Sequence, residues 1–241
     1  MQTEWVLVTV AVAVGAFVQG LTGLGFALVA APVVSQVVPG TSGIGLVNAL
    51  SIVQNGWLVA RTDAAIAWRV VARMVPGLAA GVLLGWIVLR TTGPAVFPVI
   101  VAASACASVA WLLLADRFRG AVAGVISAVW GGLVNTVAGV GGPPIAAYLV
   151  TRGLPFGEYL RTLQVVFALL SVVSLPLLGV SFPSLGWLAA WLVALVVGSV
   201  AGELLRARFD ESLTQRVGKS AIVVVCVAAL IRSVAALVFG A

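Results

Sequence analysis

The chain of 241 residues is 62% hydrophobic and 8% charged, with 13 Lys and Arg against 7 Asp and Glu and no histidine. Apolar runs of about 20 residues are what a bilayer span requires and an aqueous fold avoids, so the composition excludes a soluble domain. The runs are continuous rather than alternating, which excludes a β-barrel, and the net charge of +6 is scattered between them, which suits topology better than nucleic acid.

The opening MQTEW has no Lys or Arg ahead of the first apolar run. It lacks the basic n-region of a secretory signal peptide and is expected to stay attached. Residues 5–38 then run for 34 positions without a charge, too long for one ordinary span, and Gly20, Gly23 and Gly25 interrupt them near the middle. They read as a broken helical pair over about 5–19 and 26–38. At about 1.5 Å per residue, each arm is shorter than a hydrocarbon core of roughly 30 Å, which puts the bend inside the membrane. The next helix, about 44–60, carries Asn48, Ser51 and Asn55 at i, i+3 and i+7, one polar face on an otherwise apolar rod. Residues 61–73, RTDAAIAWRVVAR, read as an interfacial stretch with Trp68 at headgroup depth. A helix over about 74–89 contains Pro76, and its Gly81 and Gly85 form a small-xxx-small packing ridge. A helix over about 95–114 ends at the charged turn DRFRG.

The second half repeats this plan. A helix over about 121–137 leads into the bend AGVGG, and Pro143 and Pro144 open a short helix over about 143–151. Further helices are predicted over about 162–179, 185–203 and 220–239, with Gly198 and Gly202 spaced like Gly81 and Gly85. Offset by 116 residues, the halves align Gly15 with Gly131, Gly23 with Gly139, Gly25 with Gly141, Gln19 with Asn135, Asn48 with Gln164 and Asn55 with Ser171. The fold class that follows is an all-α integral membrane protein, an inverted repeat of two five-element halves, 1–115 and 116–241, each beginning with a glycine-broken helical hairpin.

Charge placement orients that repeat. If each hairpin enters and leaves on one side, 11 of the 13 basic residues share one face, and only Arg90 and Arg232 fall elsewhere. The positive-inside rule makes that face cytoplasmic and both termini external. Odd-numbered halves are then mounted in opposite orientations, as in the inverted repeats of secondary transporters. Full crossing and a re-entrant hairpin give the same charge count.

Two bends meeting near the midplane from opposite faces define the candidate site, because irregular backbone survives at membrane depth only when buried or lining a cavity. Each bend starts a helix whose unpaired N–H groups and positive dipole end suit an anion. The site is expected to comprise Gly23, Gly25, Gly139, Gly141, Gly142 and Pro143 of the bends, with Gln19, Thr22, Asn48, Asn135, Thr136 and Gln164 as neutral hydrogen-bonding groups. The blander roles are helix-packing contacts for Gly81, Gly85, Gly198 and Gly202, interhelical glue for Asn48 and Gln164, a topology anchor for Arg161, and a surface pair with Arg206 for Glu203. Cys106 and Cys226 each lie inside an apolar run, so neither a disulfide framework nor a metal site is expected, and no cofactor is implied. With no Ser/His, Cys/His or paired-carboxylate constellation in the spans, an intramembrane enzyme is disfavoured.

The two bends, the stretch GVGGPPIAAYLVTRGLP followed by EYLRTL, and MVPGLAAGVLLG together resemble the TauE/SafE family of membrane permeases over nearly the whole chain. The resemblance implies export of sulfite or an organosulfonate such as sulfoacetate from a bacterial inner membrane, with a small anionic substrate and the lipid bilayer as partners. Two other functions stay open at this stage: a proton-coupled importer of a sulfur or carboxylate anion, and a non-transporting membrane scaffold. A homodimer is compatible with the sequence.

Overall fold

A computed structural model of the chain describes residues 2–38, 40–92 and 120–208. The helices expected over 95–114 and 220–239, with Cys106, Cys226 and Arg232, lie outside those residues. The described residues form eight α-helices: α1 Gln2–Thr22, α2 Phe26–Val37, α3 Thr41–Arg61, α4 Trp68–Thr91, α5 Ala121–Ala138, α6 Gly142–Val150, α7 Phe156–Leu178 and α8 Leu185–Arg206. Six are long and apolar enough to cross a membrane; α2 and α6 are not.

The broken pairs are less symmetric within themselves than the sequence suggests. α1 has 21 residues, about 31 Å at 1.5 Å per residue, and so is not shorter than a hydrocarbon core. Only its follower is short: the 12 residues of α2 span about 18 Å and the 9 of α6 about 14 Å. Glycine ends each long helix and starts each short one. Gly25, at φ 137°, precedes α2, and Gly139, at φ 73°, closes α5 in the left-handed region where a Cβ is penalised.

Two other boundaries move. α4 begins at Trp68 rather than near 74, so only residues 62–67 are irregular and Pro76 lies inside the helix. Trp68 itself is 61% exposed, as an interfacial residue is. α7 begins at Phe156 rather than near 162, directly after Pro155, whose ring cannot continue a helix N-terminally.

Packing follows the small residues. α1 and α8 run parallel: Trp5 meets Trp187 and Trp191 at one end, and Gly198 and Gly202 press on the α1 backbone at Ala13 and Phe17 further along. α4 and α5 repeat this, with Gly81 against the Val129 carbonyl and Gly85 2.8 Å, by its hypothetical Cβ, from Leu133 O. α3 and α7 cross the middle antiparallel, Gly45 lying against Gly179 while Ala67 N–H donates to Thr162 Oγ1 at 3.0 Å at the other end. Arg161 also donates to the Ala64 carbonyl there. The apolar interior divides into two clusters. One joins α1, α2, α3 and α8 through residues such as Val12, Phe26, Leu50 and Trp191; the other joins α4, α5, α6 and α7 through Met74, Leu78, Ile145 and Leu163. Each cluster therefore mixes the two halves of the sequence, and the second also takes in Leu24 and Leu28 from the first break and α2. The outward faces carry exposed Val6, Leu7, Val122, Leu185 and Val193, which hydrocarbon rather than water accommodates.

Glu203 acts electrostatically on Arg206, as its spacing suggests, but its hydrogen bonds go elsewhere. Its carboxylate accepts from Trp57 Nε1 at 2.9 Å and Arg61 Nε at 3.3 Å, tying the ends of α3 and α8 together.

The glycine ridges give a direct test. Gly81→Ala places a methyl against the Val129 backbone, which cannot yield, and should cost about 1–3 kcal/mol in reversible unfolding in detergent. Gly56→Ala, with nothing within 4 Å of its Cβ, should instead stabilise α3 by about 0.5–1 kcal/mol.

Candidate functional site

A helix broken inside a bundle leaves backbone groups that water cannot reach, and two amides close the first break. Gln19, near the end of α1, accepts from Phe26 N–H at 3.1 Å through Oε1, which satisfies the first donor of α2. Its Nε2 donates to Asn55 Oδ1 at 2.6 Å and to Gln164 Oε1 at 2.7 Å. Gln164 in turn donates to the Gly23 carbonyl at 2.7 Å, so the bend is held from α3 and α7 at once. Around the second break Asn135 Nδ2 donates to Asn48 Oδ1 at 2.9 Å and to Ser174 Oγ at 3.1 Å, and Asn48 donates to the Ile44 carbonyl at 2.9 Å. The two amide pairs, Gln19–Gln164 and Asn135–Asn48, each join one half of the sequence to the other.

Between these pairs lies a cavity with about 30 Å³ of room for water centres. It sits at mid-height of α3 and α7. The first break contributes Leu24, Gly25, Ala27 and Leu28, and the second Val140, Gly141 and Gly142. Ser51 and Asn55 of α3, Phe167, Leu170 and Ser171 of α7, and Gln19 and Asn135 complete the wall. No lining residue is charged. The chamber has room for two or three waters or one small anion.

Of the residues singled out in the sequence, Gln19, Gly25, Asn135, Gly141 and Gly142 line the cavity. Gly23, Asn48 and Gln164 stand just behind it, as the acceptor and amides that hold Gln19 and Asn135 in place. Thr22 and Thr136 are turned to their own helices: Thr22 Oγ1 donates to the carbonyls of Val18 and Leu24, and Thr136 Oγ1 to that of Gly132. A Cβ on Gly139 would meet Ala31 at 3.0 Å, away from the cavity wall. Pro143 is buried at the start of α6 and does not line the chamber.

Gly141 and Gly142 differ in what surrounds them. A Cβ on Gly141 would strike the Gly131 carbonyl and lie 2.6 Å from Asn135 Cβ, so this glycine lets α5 and the bend approach each other. A Cβ on Gly142 would come 2.5 Å from Leu24 Cδ1 and 3.2 Å from Phe167 Cζ, side chains that bound the cavity itself.

Sequence reasoning missed the apolar part of this wall. Leu24, Leu28, Val140, Phe167 and Leu170 look like any other membrane-helix residues. Ser51, Asn55 and Ser171 had a signal: the first two belong to the polar face of α3, and Ser171 is offset from Asn55 by the 116-residue repeat.

The fold and its cavity define a polytopic helical membrane protein with a neutral, half-apolar chamber held between two broken helix pairs. The family model described as sulfite exporter TauE/SafE matches residues 7–233, and the chain belongs to that family. No curated protein and no solved structure matches it significantly.

The amide pairs are structural as well as local to the site. Gln164→Leu strips Gly23 O and Gln19 Nε2 of a partner and should destabilise the protein by about 1–3 kcal/mol. A double-mutant cycle with Gln19→Leu, read by unfolding in detergent, should give a coupling of about 0.6–1.7 kcal/mol.

Proposed function

We propose that the protein is a secondary transporter that exports a small sulfur-containing oxyanion, sulfite or an organosulfonate such as sulfoacetate, by alternating access around the cavity between Gly25 and Gly141–Gly142. One observation carries this reading: both helix breaks, 116 residues apart in sequence, line the same buried chamber. Family membership supplies the substrate class. Ala27 and Gly142, at the starts of α2 and α6, line the chamber, and uncharged amides and hydroxyls surround it. The proposed binding set keeps Gln19, Thr22, Gly23, Gly25, Asn48, Asn135, Thr136, Gly139, Gly141, Gly142, Pro143 and Gln164, some in contact with the anion and others positioning those that are.

Alternating access requires two units that can exchange arrangements, and several features support halves 1–115 and 116–241 as an inverted repeat. Amides at equivalent positions pair across the halves, the α1–α8 packing is echoed by α4–α5, and α3 runs antiparallel to α7. Contacts from Arg61 to Glu203 and from Arg161 to Ala64 gather basic segments at one end of the bundle. We assign that end to the cytoplasm and both termini to the outside of a bacterial inner membrane. A homodimer is compatible with this arrangement.

Direction follows from the membrane potential. Moving one negative charge outward from a negative cytoplasm gains about 2.3 kcal/mol per 100 mV, so export needs no coupling ion. The lining, which carries no titratable side chain, favours this over proton-coupled import and gives an enzyme no acid, base or nucleophile pair to use.

Gly142→Leu fills the chamber by pushing on side chains rather than backbone. In proteoliposomes it should lower sulfite efflux by roughly tenfold or more, the factor equivalent to 1.4 kcal/mol, while leaving the thermal midpoint near wild type. Undiminished efflux from a folded Gly142→Leu protein counts against the cavity as the transport site. Flux that collapses on adding a protonophore would select the importer instead.

A further inference from the structure

Three side chains on the cavity wall have hydrogen-bonding capacity that the protein leaves unused. Asn55 is 2% exposed, and its Oδ1 accepts from Gln19, but its amide nitrogen has no partner. Ser51 and Ser171, 8% and 4% exposed, have no hydrogen-bond partner for their hydroxyls. All three line the chamber. Buried polar groups are rarely left unsatisfied, and these three border the space where an occupant would sit. Leu24, Leu28, Phe167 and Leu170 line the same small space, so the chamber offers apolar surface beside its unused polar groups.

The charge of the occupant follows from what is missing around these donors. No lining residue is charged, and every buried polar side chain among the described residues is neutral. The start of α6 is also poor in donors, because Pro143 and Pro144 have no N–H to offer. The cost of taking an ion out of water rises with the square of its charge, whereas its attraction to fixed dipoles rises only in proportion to the charge. A dianion thus costs about four times as much to desolvate and recovers only about twice as much from the same donors.

We propose that Asn55, flanked by Ser51 and Ser171, reads the oxyanion head, and that the site selects singly charged sulfur oxyanions with a small apolar face turned to Phe167 and Leu170. Sulfite enters as its hydrogen sulfite form. Dianions are rejected: sulfate and, of the substrates the proposed function allows, sulfoacetate, whose sulfonate and carboxylate are both ionised. The inference rests on reading this chamber as the anion site, and narrows the substrate class that reading allows.

Calorimetric titration of the purified full-length protein in detergent at neutral pH, with methanesulfonate and with sulfate, tests it. Methanesulfonate should bind at least tenfold more tightly than sulfate. Asn55→Leu should weaken methanesulfonate tenfold or more, the effect expected when a hydrogen bond to a charged ligand is lost. The Ser51→Ala/Ser171→Ala double variant removes no hydrogen bond within the protein, so it should keep the wild-type thermal midpoint and show a similar loss. Sulfate binding as tight as methanesulfonate, or an unchanged affinity in the folded double-serine variant, overturns the inference while leaving an anion site in the chamber. Wild-type protein that binds neither of these anions nor sulfite overturns the chamber reading as well.

Discussion

Every helix break inside hydrocarbon frees backbone groups that lipid cannot satisfy, at several kcal/mol for each group left alone. This protein breaks two helix pairs and answers the constraint with side-chain amides. Gln19 takes the free N–H of Phe26, Gln164 donates to the carbonyl of Gly23, and Asn135 binds Asn48 and Ser174 beside the second break. Because Gln19 pairs with Gln164 and Asn135 with Asn48, across the two halves of the sequence, the repair of the breaks also joins the halves. The chamber is the space left between the two repairs, and its polar lining comes from α1, α3, α5 and α7, with Asn55 of α3 anchoring one of the repairs.

The surrounding bundle makes that arrangement possible by close packing. Glycines on α4 and α8 bring these helices against the backbones of α5 and α1, where any side chain would hold them apart. α3 and α7 are left to cross in the centre with their polar faces inward. α2 and α6, too short to span, begin at the chamber. The absence of charge around the chamber has a consequence for the proposed function: an anion bound there would be held by dipoles and hydrogen bonds alone, strong enough to admit it and weak enough to release it.

Much of this was legible in the sequence, for physical reasons. Uninterrupted apolar runs admit only helices in lipid, so the helical membrane class followed from composition. The glycine clusters at 20–25 and 139–142 marked the breaks, and the i, i+3, i+7 spacing of Asn48, Ser51 and Asn55 put a polar face on α3. What spacing does not carry is partnership across the bundle. Glu203 has Arg206 three residues away, yet tertiary packing turns it to Trp57 and Arg61. Thr22 and Thr136 appear in the right places, but a hydroxyl one turn from a carbonyl of its own helix bonds there. Helix ends were misjudged where glycine was taken as an early stop, since α1 continues through Gly20 to Thr22 because the Ser199 backbone packs closely on that glycine. Phe167 and Leu170 carry no local sign that they face a cavity rather than lipid.

The account stands on the chamber between the two breaks being where the anion binds. Anomalous diffraction from crystals of the full-length protein soaked with hydrogen selenite, a heavy-atom analogue of hydrogen sulfite, locates the anion directly. The account predicts a selenium peak enclosed by Gly25, Asn55 and Gly142. A chamber without selenium, with the peak instead among the arginines at the bundle end, would contradict it.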